Sequence, residues 1–183
     1  MNELILKNLN VGTANVENLV VGGVGGLKTT VQSVTKAVPV TAAGNTDFVF
    51  SQPAHSTIKS IFLVPLATFT TAGSSGDDLD ISVGEGSSFT DVIAAKAVLD
   101  DGGAAVSMAK GQVLPIVANS VGALANGFAG IGPATSEAIV LGAGDLDNAS
   151  SSARTVNVRI TPLANDLAAS GDLKIVLEFL HAE

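Results

Sequence analysis

The sequence predicts an all-β chain: a β-sandwich or jelly-roll domain preceded by an extended N-terminal arm that carries a short β repeat. Three observations predict it. Apolar and polar residues alternate with period two in many short runs, most cleanly at residues 78–84, 154–161 and 173–181. Gly-, Asn-, Asp- and Ser-rich turns separate those runs. No long amphipathic helix and no regular βαβ alternation intervenes, which sets aside a parallel α/β sheet.

The arm comes first. Residues 6–12 read Leu-Lys-Asn-Leu-Asn-Val-Gly and residues 16–22 read Val-Glu-Asn-Leu-Val-Val-Gly. This is one motif written twice, ten residues apart. Stacked repeats need about three or more units to bury a continuous apolar face. Leu6, Leu9, Val11, Val16, Leu19 and Val21 therefore need partners from outside the chain, and they are the candidate interface residues. Residues 22–26 place four glycines in five positions and read as a hinge. The expected organisation is an arm and hinge over 1–26 and a β-sandwich domain over 27–183.

Within the domain, residues 29–41 alternate Val31, Val34, Val38 and Val40 with polar residues, and Pro39 favours an edge position. Residues 46–51 carry Phe48 and Phe50; residues 57–64 carry Ile58, Ile61, Phe62 and Leu63. Residues 78–84 set Leu79, Ile81 and Val83 on one face and Asp78, Asp80 and Ser82 on the other. Residues 89–99 are divided: their alanines favour a helix, and Val92, Ile93 and Val98 a strand. Residues 113–117 read as a strand interrupted by Pro115 at an edge. Residues 122–134, rich in Gly and Ala, read as a loop. Residues 136–142, 154–161 and 173–181 complete about nine strands. The last of them ties the C-terminal segment into a sheet and leaves the N-terminal arm as the reaching end.

Composition narrows the function. The 183 residues are 46 % hydrophobic but only 14 % charged, against roughly 25 % in an average soluble domain. A sparsely charged surface suits a β-rich protein that covers much of itself with neighbours. The net charge of −8 and nine scattered Lys and Arg argue against a nucleic-acid partner, because phosphate binding needs clustered cations. Absence of Cys excludes disulfides, thiolate chemistry and Cys-ligated zinc. No run reaches the ~18 apolar residues of a membrane span. The opening Met1-Asn2-Glu3-Leu4 lacks a basic signal-peptide start, so the expectation is synthesis in a cytoplasm without an export signal.

The chemical motifs are weak. Around residues 22–29, Leu27 rather than Gly precedes Lys28, and no helix pattern follows, so this is not a phosphate loop. Gly130-Ile131-Gly132 starts like a dinucleotide fingerprint, but Pro133 follows and Thr135 stands at the sixth position. Acidic groups gather at Asp77, Asp78 and Asp80, at Asp100 and Asp101, and at Asp145 and Asp147 beside Asn148. Calcium needs several oxygens converging on one point, and no EF-hand spacing is present; turn and surface carboxylates are the expected reading, with Asp145 and Asp147 beside Asn148 the best candidates for a calcium site. His55 and His181, the only histidines, lack a recognisable nucleophile and orienting acid. No catalytic residue, cofactor or metal site is therefore assigned. Without Trp or Tyr a sugar-stacking cleft is also disfavoured.

The doubled repeat at 6–12 and 16–22, the glycine hinge and the Cys-free, Thr/Ala/Gly-rich β domain resemble virion structural proteins of tailed bacteriophages: trimeric capsid decoration (cement) proteins and trimeric fibres. The resemblance implies a non-enzymatic viral protein on the capsid surface of the virion, a homotrimer that binds the major capsid protein or other virion subunits through its arm. Three chains around one axis would supply six apolar rungs instead of two, each buried Leu or Val contributing about 1.5–3 kcal/mol. A tail fibre or spike that binds a receptor is the alternative within this class. A carbohydrate-binding module or hydrolase on a β-sandwich is the alternative outside it.

Overall fold

The computed structural model describes residues 19–22, 28–41, 44–73, 77–117, 151–163 and 167–181. The described chain is all-β. Its strands are β1 (Leu19–Gly22), β2 (Lys28–Ala37), β3 (Thr46–Gln52), β4 (Ser56–Pro65), β5 (Phe69–Thr70), β6 (Asp77–Glu85), β7 (Ile93–Asp100), β8 (Ser107–Met108), β9 (Leu114–Val117), β10 (Arg154–Pro162) and β11 (Asp172–His181). They form a five-stranded sheet in the order β1-β2-β11-β4-β9, a four-stranded sheet in the order β3-β10-β6-β7, and the small pair β5-β8. All pairings are antiparallel.

The strands of the two larger sheets pair in a nested order. β2 pairs with β11, β3 with β10, β4 with β9, and β6 with β7. The first half of the domain is thus zipped against the second half in reverse, and the path crosses between the two sheets at nearly every connection.

Period two explains the core. Leu79, Ile81 and Val83 on β6, Val156, Val158 and Ile160 on β10, and Leu173, Ile175, Leu177 and Phe179 on β11 are all fully buried between the sheets. Phe48 and Phe50 on β3 and Ile61 and Leu63 on β4 meet them there. On β4 the pairing slips: Glu178 faces Ser60 but Phe179 faces Ile58. Lys59 is the extra residue of a β-bulge, and the bulge keeps Ile58 and Ile61 both inside. One end of the sandwich is plugged by Phe69 on β5, its partner Met108 on β8, and Leu167.

The divided stretch at 89–99 resolves as a strand from Ile93, because pairing with β6 overrides the helix propensity of its alanines. The expected strand over 29–41 stops at Ala37. Pro39 stands beyond it and does not bear on that strand's edge. Pro115 lies on β9, which is an edge strand as expected. The expected loop at 122–134 and strand at 136–142 lie outside the described residues.

Candidate functional site

The candidate interface begins at β1. Leu19 pairs with Val31, Val20 with Thr30, Val21 with Thr29 and Gly22 with Lys28. Residues 19–22, the end of the second copy of the repeat, are thus hydrogen-bonded onto the edge of the five-stranded sheet, and the glycine-rich residues 23–26 precede β2 in sequence. Of the six candidate residues, Leu19 and Val21 lie on this strand. Leu6, Leu9, Val11 and Val16 lie outside the described residues.

β1 covers only the first four residues of a ten-residue strand. The Val38 N–H donates to Gly171 O beyond the regular β2–β11 register. Alternation along an antiparallel strand then turns the backbone groups of Ser33 and Thr35 away from β11, toward the β1 side. Among the described residues nothing pairs with that side of β2 past Val31.

The edge of the other sheet is treated differently. β3 is the outer strand there, and side chains of β2 close it. The Gln32 amide donates to Ser51 O at 2.6 Å and accepts from Ser51 N–H at 3.1 Å. Lys36 Nζ donates to Asp47 O at 2.6 Å. These bonds occupy backbone groups that would otherwise recruit another strand.

The two outer faces also differ. On the four-stranded sheet the outward row Asp47–Arg159–Ser82 lies beside the row Val49–Asn157–Gly84. Arg159 donates twice to Asp47, at 2.7 and 3.0 Å, and its guanidinium sits 3.6 Å from the centre of the Phe89 ring. The Asn157 amide donates to Gly86 O and Ser88 O at 2.9 and 3.0 Å and is only 5 % exposed. The connection between β6 and β7 therefore folds back over its own sheet. Gly84 permits this: a Cβ there would stand 2.5 Å from backbone atoms of Ser88 and Phe89. The Arg159 hydrogen bond holds the Asp47 carboxyl below its usual range, with the Arg159 and Lys36 charges adding to it and burial opposing it. The same bond raises Arg159.

The outer face of the five-stranded sheet is apolar at its centre. β11 turns Lys174, Val176, Glu178 and Leu180 outward, opposite its buried residues. Val176 pairs with Phe62, and Phe62 with Pro115, making one apolar row across three strands. Val64, beside Lys174, and Val31, beside Glu178, flank it. All of these apolar residues are part-exposed. Period-two alternation alone does not predict this face. The signal for it is Ile61-Phe62-Leu63-Val64, four apolar residues in succession, which is the pattern of a strand apolar on both faces.

Of the polar groups weighed as chemical candidates, Asp100, Asp101 and His181 have structural partners. Asp101 accepts from Gly73 and Gly103 N–H groups, both at 2.7 Å, and Asp100 from Gly102 N–H at 3.0 Å. These are turn-stabilising contacts. The His181 ring shares a 2.6 Å hydrogen bond with the Thr30 hydroxyl, and among the described residues no carboxylate orients it. His55 is exposed in the β3–β4 turn, with a φ of 56°. Arg154 joins Glu85 at 2.6 Å and Gln52 at 2.9 Å. Among the described residues no group of three or more His, Cys, Asp or Glu is gathered to hold a metal ion, and no helix is long and apolar enough to cross a membrane. Asp145, Asp147 and Asn148 lie outside the described residues.

No family model matches the chain, and no curated protein matches it. A solved structure, the cyanophage Pam1 capsid asymmetric unit, aligns with a TM-score of 0.39 and 16 % identity, over 97 % of this chain and 100 % of that chain. At that identity and score the likeness assigns neither family nor function.

Proposed function

We propose that this chain is a non-enzymatic structural protein of a phage virion, a decoration subunit that stabilises the capsid and is anchored and trimerised through its N-terminal arm. The observation that carries this reading is the position of β1. The last four residues of one copy, Leu19–Gly22, already form a strand on a sheet edge, so the sequence Leu-x-Val-Gly is competent for strand addition. The first copy, with the same letters at Leu9-Asn10-Val11-Gly12, has the same capacity, and its partners are neighbouring chains. The nested pairing of the eight strands in the sandwich is read as a jelly roll, an architecture that serves in viral capsid domains. Fold alone does not fix function; the arm carries the assignment. Stability would arise from many weak contacts made at once, each arm tethering its domain so that later contacts form at high effective concentration.

The test is deletion of residues 2–18, which leaves β1 and the sandwich intact. The expected result is loss of the trimeric mass in solution and loss of capsid binding, with the thermal unfolding of the domain preserved. Undiminished trimerisation and capsid binding by the truncated protein would overturn the reading.

A further inference from the structure

We propose that the outer face of the five-stranded sheet is a twofold docking surface for a second copy of this chain. It is centred on β11, β4 and β9 and does not depend on residues 2–18 of the arm.

The order of residues on β11 is the first support. Lys174, Val176 and Glu178 are successive outward positions, with the apolar residue in the middle and opposite charges on either side. Val176 continues sideways into Phe62 on β4 and Pro115 on β9. Consider a twofold axis laid along the row Val176–Phe62–Pro115, in the plane between two such sheets. Each residue of the row then meets its own copy. β11 runs antiparallel to the partner's β11, so Lys174 of one copy lies over Glu178 of the other, twice by symmetry. The pattern is self-complementary in charge as well as apolar at its centre, as an isologous contact requires. An unrelated partner would need to match both features independently.

The local chemistry is prepared for this. Glu178 accepts from the Ser60 hydroxyl at 2.5 Å and lies 3.4 Å from Lys59 Nζ, which fixes the carboxylate on the face. Lys174 makes no hydrogen bond or ion pair with a described residue and can reach a carboxylate from across the axis. Size agrees too. Strands ~4.8 Å apart with a rise of ~3.3 Å per residue give this sheet a projected face of roughly 600 Å². A standard interface buries about 800 Å² of accessible surface per partner, so the face is of the order that a modest interface needs. Sheets packed face to face keep their strand directions within about 30°, so the central rows stay in register while the corners diverge.

The test is sedimentation equilibrium of the full-length chain at concentrations up to ~1 mM. It compares the wild type with K174E, E178K and the double charge swap K174E/E178K. The expected result is that the basic unit doubles at high concentration, that each single swap weakens the doubling about tenfold or more by opposing like charges, and that the double swap recovers it. Absence of doubling in the wild type overturns the proposal, as does doubling that neither single swap weakens. If the unit that doubles is one chain rather than three, the trimer reading fails while this one stands.

Discussion

The two outer faces of the sandwich follow opposite strategies. The four-stranded sheet covers the middle of its own, where the β6–β7 connection folds over Asn157 and Phe89 packs on Arg159, and leaves Val49 on β3 53 % exposed. Its edge strand β3 is closed by Gln32 and Lys36. The five-stranded sheet leaves Val176, Phe62 and Val64 part-exposed and extends one edge with a strand from the repeat. The lesson is a division of labour. Among the described residues, the centre of one face is covered by a connection of the chain itself, and the centre of the other carries an apolar row that no connection covers.

The largest test asks whether the sheets differ only outside. Both contribute to one core, so Phe179→Ala on β11 and Phe48→Ala on β3 are expected to cost about 3–5 kcal/mol each in urea unfolding. A large inequality between them would show that the sheets are not equal partners in a single core. The next test addresses the self-covered face. Gly84→Ala pushes a methyl group into the backbone of Ser88 and Phe89 and is expected to cost about 1–3 kcal/mol. If it is neutral, the connection does not lie where the Asn157 hydrogen bonds hold it.

The smallest test concerns pH. The carboxyl of Asp47 has its pKa lowered in the folded state by the Arg159 hydrogen bond. Its stabilisation is therefore fully present above the ordinary carboxylate pKa and is lost as pH falls through the lower folded value. Asp47→Asn should flatten the acid limb of a stability–pH curve by no more than about 1 kcal/mol, since the pair is part-exposed and screened. An unchanged acid limb would mean that the Asp47–Arg159 pair does not stabilise the four-stranded sheet.

Much of the fold is legible in the sequence, because strands half-buried against one core write their orientation in period two. β6, β10 and β11 are readable residue by residue. β7 is not, because alanine favours helix and its choice is made by pairing with β6, a long-range contact. The β4 bulge is hidden for the same reason: Lys59 is an extra residue only relative to β11. Of the candidate interface, the repeat is visible as a repeat, but residues 19–22 at the end of its second copy read as part of an arm and not as β1. A four-residue edge strand has too little pattern to identify alone. The apolar outer face escapes a reading by alternation, which takes the second face of a strand to be polar; on β4 that face carries Phe62 and Val64.

The nested pairing also has a consequence for how the protein is made. β11 lies between β2 and β4, so two strands near the start of the domain become neighbours only through one that ends at His181. Until residues 172–181 have left the ribosome, the five-stranded sheet has no middle, and β2 and β4 both present open edges. Contacts this distant in sequence make folding slow and leave the unfinished chain prone to aggregate. Completion of the five-stranded sheet is thereby coupled to synthesis of residues 172–181, and a chain halted before β11 has no finished sheet to present.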